Sequence, residues 1–404
     1  MPDSAIKRAI IVGAGPAGLA AAEVLAQAGV RVVIHDRMPN PARKFLLAGR
    51  GGLNLTHSEP LARFLSRYGQ AQSHLEPAIR AFTPDHLRAW CEHLGVETFV
   101  GSSGRVFPKE MKASPLLRAW LARLAGLGVQ LVTRSRWIGW KGDTLSFDTA
   151  DGPHHQQADV FLFALGGASW PRLGSDGFWV EAFKAHGADV KALKPSNSGF
   201  AVAWSDIFRD KFAGEPLKSA YFTHAGLEAA GEAIITRAGI EGGAIYALSA
   251  ALRDSITADG SADLVIDLSP NATAGELARK IANAPSGTST ANRLRRAGLT
   301  PVAASLLRER RDGPGLPASA DELAIAAKTC VIPVTGVAPI ERAISTAGGV
   351  SWDSLNADYS LKADPRTFLA GEMLDWEAPT GGYLLQACFA TGRAAAHGML
   401  ARIA

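Results

Sequence analysis

The segment between residues 8 and 36 constrains the fold more than any other part of the chain. It contains the apolar run RAIIV at 8–12, the glycine turn GAGPAG at 13–18, a helical apolar pattern and a second apolar run, VRVVIHD. Gly29 stands where it can end the helix. A GxGxxG spacing between a buried strand and a helix, with an acid closing the next strand, predicts a dinucleotide-binding βαβ unit.

Each glycine of this turn has a distinct expected role. Gly13 permits the tight turn, Gly15 lets the backbone approach a pyrophosphate, and Gly18 allows close packing of helix on strand. Asp36 is expected to accept hydrogen bonds from the adenosine ribose, and an acid there disfavours the 2′-phosphate of NADP. The turn therefore predicts FAD or NAD. A glycine turn in an unrelated α/β sheet is the alternative.

A second glycine cluster, LLAGRGGLNLTH at 46–57, decides between one nucleotide and two. The residues before it, RMPNPARKFLLAG, carry two prolines and do not resemble the strand that a phosphate loop needs behind it. We therefore expect this segment to lie against a flavin ring rather than to bind a second dinucleotide.

Two later segments also favour FAD over NAD. In ADVFLFALGGASWPRLGSDG (158–177) a strand ends at Gly166–Gly167, which predicts a return of the chain beside FAD; an ordinary exit from strand to loop is the alternative. In 366–400 a strand leads to Asp375, expected at a ribityl hydroxyl. The amides of residues 381–384 begin a helix and are expected to stabilise negative charge at flavin N1/O2. A C-terminal amphipathic helix with a glycine turn is the alternative there.

Taken in order, seven segments resemble a bacterial flavoprotein family of the two-dinucleotide-binding-domain type: GAGPAG, GLNLTH, GRVFPKEMKA, ALGGASWPRLGSDG, ITRAGIEGGAIYALS, STAGGVS and AGEMLDWEAPTGGYLLQ. That family of NAD(P)/FAD-dependent oxidoreductases includes aminoacetone-oxidase-like proteins and a bile-acid reductase. The resemblance covers nearly the whole chain and implies FAD as the bound cofactor. The predicted cofactor contacts are Gly13, Ala14, Gly15, Pro16, Ala17, Gly18, Asp36, Arg37, Lys44, Gly49, Arg50, Gly51, Gly52, Asn54, Leu55, Thr56, Trp137, Ala164, Gly166, Gly167, Gly371, Glu372, Asp375, Gly381, Gly382, Tyr383 and Leu384.

The chain departs from the family pattern at one point beside the expected flavin. The family typically reads Arg-Cys-Asn where this chain has Gly52–Leu53–Asn54, and Asn where it has His57. The arginine is displaced to Arg50 and the cysteine is missing. A mechanism that requires this thiol is therefore not open to the chain, which places it in a divergent subgroup.

The predicted fold class is α/β. We expect a Rossmann-like FAD-binding domain with an inserted antiparallel β-barrel domain, which itself carries a small helical insert. Short alternating strands between turn residues predict the barrel, and an Ala/Arg/Leu-rich pattern predicts the helices. The expected boundaries are 1–195 for the first part of the FAD domain, 196–270 for the barrel, 271–329 for the helical insert, 330–340 for the barrel return and 341–404 for the end of the FAD domain.

Composition excludes several other classes of protein. A net charge of +4 on 404 residues does not argue for nucleic acid or a membrane surface. Three scattered cysteines, the absence of a signal-peptide pattern and the absence of a long apolar run predict a cytoplasmic protein without a disulfide framework. The sequence has no HExxH motif and no similar cluster of ligands, so we predict no metal site.

Six arginines in NRLRRAG and RERRDG (292–298 and 308–313) are expected to lie on solvated helix faces. Binding of a phosphate, an anionic substrate or RNA is the alternative.

The predicted function is that of an FAD-dependent oxidoreductase, which transfers a hydride between the flavin and a small-molecule substrate. The sequence has no second GxGxxG unit, so it predicts no separate NAD(P)H domain. NAD(P)H could then act only as a donor that binds transiently. Arg237 and Tyr246 are the predicted substrate contacts, and no catalytic acid or base follows from spacing. The alternatives are an FAD-dependent RNA- or nucleotide-modifying protein and a non-catalytic flavin-bound sensor.

Overall fold

The structure, a computed structural model, describes residues 6–49, 51–311, 313 and 315–404. It divides into two compact units. The first comprises the described residues up to Lys194 together with Ser345–Ala404, and the second comprises Pro195–Ile344.

The first unit begins with eleven strands and seven helices. Its strands are β1 (Arg8–Val12), β2 (Arg31–His35), β3 (Thr56–His57), β4 (Thr98–Val100), β5 (Arg105–Pro108), β6 (Gln130–Val132), β7 (Arg136–Lys141), β8 (Thr144–Thr149), β9 (Gly152–Gln156), β10 (Val160–Phe163) and β11 (Val190–Ser196). Its helices are α1 (Pro16–Gln27), α2 (Arg43–Ala48), α3 (Leu61–Ser66), α4 (Gln72–Ala81), α5 (Pro84–His93), α6 (Ala113–Gly126) and α7 (Val180–Ala185).

The second unit follows, and the chain then returns to the first. The strands of the second unit are β12 (Phe200–Ala201), β13 (Pro216–His224), β14 (Leu227–Ile235), β15 (Gly239–Glu241), β16 (Ala262–Asp267), β17 (Cys330–Val334) and β18 (Gly336–Val337). Its helices are α8 (Asp206–Phe212), α9 (Gly243–Ala247), α10 (Ser249–Asp259), α11 (Ala274–Ala282), α12 (Thr290–Arg296), α13 (Pro301–Leu306) and α14 (Ala320–Lys328). The return adds β19 (Ser345–Val350), β20 (Ser360–Leu361), β21 (Asp364–Leu369) and α15 (Tyr383–Ile403).

A six-stranded sheet organises the first unit, in the order β20-β21-β10-β1-β2-β6. β1 pairs in parallel with both β2 and β10, which in turn pair in parallel with β6 and β21; only β20 is antiparallel. The central strands are almost wholly apolar and buried, as a sheet covered on both faces requires. α1 packs against α15 beside this sheet. The carboxyl ends of β1, β2, β10 and β21 therefore meet at one edge, where ligands of such sheets bind.

Smaller sheets flank this core within the first unit. They have the orders β3-β5-β4, β7-β8-β9 and β11-β19. The last pair brings together the strand on which the chain leaves the first unit and the strand on which it returns.

The second unit is built on a seven-stranded sheet in the order β17-β16-β13-β14-β15-β12-β18, whose pairings are antiparallel. Four helices, α11 to α14, lie in the chain between β16 and β17 and share a hydrophobic core with the sheet. Capping boxes begin α11 at Thr273 and α14 at Ser319. The prediction of a Rossmann-like fold with an inserted antiparallel sheet domain is confirmed; closure of that sheet into a barrel stays a prediction.

No helix among the described residues combines the length and the apolar character needed to cross a membrane.

Candidate functional site

A cleft opens at the carboxyl edge of the parallel strands of the first unit. It encloses about 860 Å³ of space, part of it open to solvent. It is lined by the β1–α1 turn, the end of β2, helix α2, the start of β7 and the loops after β10 and β21. Its described lining residues are Val12, Gly13, Gly15, Pro16, Ala17, His35, Asp36, Arg37, Met38, Asn40, Ala42, Arg43, Lys44, Phe45, Ser135, Arg136, Trp137, Ala164, Leu165, Gly166, Leu173, Gly174, Ser175, Phe178, Ala370, Gly371, Glu372 and Cys388.

The glycine turn between β1 and α1 forms the floor of this cleft. Gly13 has φ +106°, and a Cβ there would collide with the carbonyl oxygen of Ala164. A Cβ at Gly18 would collide with the carbonyl oxygen of Gly13. Gly15 differs, because a Cβ at that residue would meet nothing within 4 Å. No side chain caps α1, so its first amides and positive dipole end face the open space beside Gly15.

Asp36 lies at the end of β2 and closes one side of the cleft. Its two carboxylate oxygens accept hydrogen bonds from the amides of Ala14 and Met38, each at 2.8 Å. Burial raises the pKa of Asp36, and the two amides act in the opposite direction. The amides fix the carboxylate, and its remaining lone pairs can accept two more donors such as ribose hydroxyls.

An ion pair on the cleft lining joins α2 to the loop after β21. The ammonium of Lys44 lies 2.7 Å from Oε2 of Glu372 and 2.5 Å from Oγ of Ser169. Glu372 also accepts the amide of Thr346 at 3.0 Å through Oε1. Segments more than three hundred residues apart in the chain are thus joined at one wall.

Four buried donors in this cleft have no hydrogen-bond partner among the described residues. They are Nε of Arg37, Nε of Arg43, Nε1 of Trp137 and Oγ of Ser175. Unsatisfied buried donors are costly, so a cluster of them in a cleft indicates groups that a ligand completes. Together with the open space at Gly15 and the fixed carboxylate of Asp36, they fit the phosphate and sugar groups of a dinucleotide.

A second group of predicted residues lies where the segment 53–57 meets the start of α15. The amides of Leu53 and Leu55 donate to the carbonyls of Met111 and Val106, so this segment runs along β5. Gly382 has φ +97°, and a Cβ there would lie 2.5 Å from Cα of Thr56. Oγ1 of Thr56 and Oδ1 of Asn54 are buried without a partner in the part of the chain that the structure describes.

The structure divides the predicted cofactor residues between these two places. Those on the cleft lining are Gly13, Gly15, Pro16, Ala17, Asp36, Arg37, Lys44, Trp137, Ala164, Gly166, Gly371 and Glu372. Those off that lining, in the glycine turn, in the segments 49–56 and 381–384, or next to Gly166, are Ala14, Gly18, Gly49, Gly51, Gly52, Asn54, Leu55, Thr56, Gly167, Gly381, Gly382, Tyr383 and Leu384. Arg50 lies outside the described residues.

Three further predicted contacts have other surroundings. Asp375 is not on the cleft lining; burial raises its pKa, and Lys191 lies near enough to oppose this rise. In the second unit, Arg237 is 70% exposed and pairs with Asp210 at 2.9 Å. Tyr246 on α9 is partly buried, which raises its pKa. Their roles stay predictions.

Sequence reasoning missed several residues that line the cleft, above all His35. Its ring nitrogens lie 2.8 Å from Ser135 Oγ and 2.8 Å from Gln156 Oε1, and the ring stacks on Phe147 at 3.8 Å. Burial lowers the pKa of His35 to about 4, so the ring is neutral at neutral pH. Its position directly before Asp36 was the available signal, but its hydrogen-bond partners lie 100 and 121 residues further along the chain.

Leu53, at the position of the missing cysteine, is completely buried in the hydrophobic core of the first unit. Among the described residues, no group of three or more His, Cys, Asp or Glu side chains is placed to hold a metal ion.

The sheet order, the glycine turn and the cleft define a Rossmann-type dinucleotide-binding protein. Residues 7–398 match the family model described as HI0933-like protein Rossmann domain. The chain therefore belongs to the HI0933-like family of FAD-dependent Rossmann proteins, and the resemblance seen in its motifs is confirmed.

Several known proteins are similar to this chain. It is 25% identical over 398 residues to the 3-dehydro-bile acid delta(4,6)-reductase of Clostridium scindens, covering 95% of this chain and 96% of that protein. It is 25% identical over 245 residues to the ribosomal RNA dihydrouridine synthase of Haemophilus influenzae, covering 59% of this chain and 60% of that protein. The fold is also that of 3-ketosteroid delta1-dehydrogenase from Sterolibacterium denitrificans, with a TM-score of 0.53, 12% identity and coverage of 97% and 99% of the two chains.

Proposed function

We propose that this chain binds FAD and is an oxidoreductase that transfers a hydride between the flavin and a small organic substrate. The observation that carries the proposal is the cleft of the first unit, where Gly15 leaves open space at the start of α1 and buried donors lack partners among the described residues. Membership of an FAD-dependent family supports FAD over NAD.

The residues of the cleft suit the adenosine and pyrophosphate half of FAD. Gly15 and the first amides of α1 would hold the pyrophosphate, and Asp36 would accept the ribose hydroxyls. The Lys44–Glu372 pair would face the ribityl chain and restrain the loop after β21.

The flavin ring is assigned to the second group of residues. Asn54 and Thr56 carry polar atoms there without a partner among the described residues, and the amides after Gly382 begin a helix of 21 residues. When bound, FAD supplies the hydride chemistry at its ring. The chain would orient the ring and stabilise negative charge at its pyrimidine edge.

The names of the relatives suggest the type of bond that reacts. A delta(4,6)-reductase and a dihydrouridine synthase both add hydrogen to a carbon–carbon double bond. We propose the same bond type for this chain. Such a reduction needs a proton besides the hydride, and Leu53, which stands where the family has a cysteine, has no ionisable group to donate it.

The test is anaerobic reduction of the purified protein. We expect a yellow protein that releases FAD on denaturation and is bleached by NADH or NADPH, then reoxidised by an acceptor with an activated double bond. A protein that neither contains FAD nor binds added FAD would contradict the proposal. A yellow protein that neither nucleotide nor any double-bond substrate affects would instead support a flavin-bound sensor.

Action on RNA is a second candidate, because two ribosomal RNA dihydrouridine synthases match the chain. The second, from Escherichia coli, is 28% identical over 185 residues, or 45% of this chain. The arginine cluster, however, is partly engaged within the protein: Arg293 donates to the Ile281 carbonyl, Arg295 to Asn292, and Arg311 pairs with Asp263.

RNA binding at several salt concentrations and mass spectrometry of treated RNA separate the two candidates. Steeply salt-dependent binding together with a gain of two hydrogens in uridine would establish the RNA activity. For the small-molecule oxidoreductase that we favour, we expect unchanged RNA.

A further inference from the structure

We propose that Glu59 is a positioning residue that acts through Tyr383. Through this contact Glu59 holds the turn Gly381–Gly382, at the start of α15, against Thr56. The first amides of this helix then keep a fixed direction. The inference rests on the proposed function, because the flavin ring is assigned to this place.

Glu59 is the centre of a partly buried hydrogen-bond cluster. Its Oε1 accepts from the hydroxyl of Tyr383 at 2.6 Å and from Nε of Arg67 at 3.1 Å, and its Oε2 accepts from Nη2 of Arg67 at 2.9 Å. Only 7% of its side chain is exposed. Burial alone would raise the pKa of Glu59, but the hydrogen bonds from Arg67 and Tyr383 bring it below its usual value. The carboxylate is therefore a charged and fully engaged acceptor.

The ring of Tyr383 is held from several other sides. His57 stacks on it at 5.6 Å, Phe64 contacts it at 4.9 Å, and the guanidinium of Arg67 lies over it at 5.9 Å. The hydroxyl of Tyr68 donates to the backbone carbonyl of Tyr383 at 2.8 Å. Both ends of this residue are thus anchored to the segment 57–68.

His57 takes part as a packing group. Its Nδ1 accepts the amide of Glu59 at 3.1 Å, and its Nε2 lies 3.0 Å from the carbonyl of Ser103. A Cβ at Gly104 would lie 2.6 Å from the ring of His57. With both nitrogens engaged, the ring keeps one orientation and supports Tyr383.

The anchored ring in turn shapes the glycine turn. A Cβ at Gly381 would lie 2.7 Å from Cε2 of Tyr383, so the ring folds back over this glycine. Gly381 and Gly382 have φ values of +138° and +97° and few intrinsic restraints. Glycines leave the start of a helix mobile unless neighbouring groups restrain it. Here the hydrogen bond from Tyr383 to Glu59 restrains it. Fixed amides stabilise negative charge better than amides that must reorient.

The first experiment measures hydrogen exchange of the amides of residues 382–388 in the full chain as purified. We expect Tyr383→Phe and Glu59→Ala to increase exchange about fivefold, as loss of one hydrogen bond predicts. Glu59→Gln keeps an acceptor and should increase it less than Glu59→Ala. Tyr359→Phe is the matched control, because the buried Tyr359 hydroxyl has no partner among the described residues. Wild-type exchange in Tyr383→Phe would overturn the proposal.

The second experiment measures the flavin itself through its reduction potential and its affinity for sulfite. Both depend on stabilisation of negative charge at the pyrimidine edge. We expect Tyr383→Phe to lower the potential and to weaken sulfite binding about fivefold, with Tyr359→Phe unchanged. Faster exchange without any change in these flavin properties would overturn the positioning role. A wild-type protein that binds no FAD would refute the proposed function instead. The exchange data would still test whether the Glu59–Tyr383 contact restrains the start of α15.

Discussion

At the residue scale, Gly13 and Gly15 stand two positions apart but should respond differently to the same substitution. Gly15→Ala places its methyl group in open space at an ordinary φ of −83°. The apoprotein should therefore be unchanged or more stable by about 0.5 kcal/mol. Its affinity for FAD should fall at least about tenfold, because the methyl group blocks the approach of the pyrophosphate. Urea denaturation and FAD titration check both effects.

Gly13→Ala is the contrasting variant. Its backbone has a φ of +106°, and the new Cβ collides with the carbonyl of Ala164, so we expect a loss of about 2 kcal/mol or more in the free energy of unfolding. If Gly15→Ala retained wild-type affinity for FAD, the turn would not be the pyrophosphate site.

His35 should make the stability of the fold depend on pH. Burial lowers its pKa in the folded state from 6.5 to about 4. Between these values the unfolded chain takes up a proton that the folded chain does not, so stability is lost as the pH falls from 6.5 towards 4. The loss should reach about 3 kcal/mol.

Urea denaturation at pH 7 and at lower pH measures this loss. His35→Gln should remove this part of the pH dependence, and His93→Gln, at an exposed histidine on α5, should retain it. An equal pH dependence in His35→Gln and the wild type would refute the assignment.

At the element scale, the buried carboxylate of Glu23 joins three helices. It lies on α1, is 2% exposed, and accepts from the indole nitrogens of Trp90 on α5 at 3.1 Å and Trp120 on α6 at 2.8 Å. Arg123 pairs with it at 3.1 Å. Glu23→Gln replaces one acceptor with a donor that faces other donors. We expect a loss of about 3 kcal/mol in the free energy of unfolding, measured by urea denaturation with tryptophan fluorescence.

The matched control is Glu76→Gln, at an exposed pair with Arg80 on α4. Such pairs contribute little, so its denaturation midpoint should not change measurably. Equal midpoints for the two variants would show that the Glu23 cluster does not stabilise the packing of these helices.

Sequence patterns predict some elements of the first unit but not others. Strand β1, helix α1 and strand β2 follow directly from local periodicity and glycine spacing, and the structure places them at nearly the expected residues. The segment before the second glycine cluster has no strand, as expected, but contains the short helix α2. The sequence did not predict this helix, because two prolines stand just before it. Helix α2 carries Lys44 and Arg43 to the cleft, a placement that depends on packing rather than on pattern.

At the scale of the whole molecule, every described residue of the cleft belongs to the first unit. The chain leaves this unit on β11 and returns on β19, which pair with each other. Replacing Pro195–Ile344 with a short Gly/Ser linker should therefore give a folded chain that retains FAD. Circular dichroism and the visible flavin absorption per protein check this. A folded but colourless product, beside a yellow full-length protein, would show that the second unit is needed for cofactor binding.

The sequence by itself determined the βαβ unit, the family and the expectation of a flavin, because strand, turn and helix signals are local and the motifs occur in order. Tertiary structure alone decided which distant groups meet. Lys44 meets Glu372, His35 meets Gln156, and Tyr383 meets Glu59 across separations of 121 to 328 residues. Such contacts depend on how strands order within a sheet and how loops pack on its edge. No local pattern of side chains encodes that order, so these partners became visible only in the folded chain.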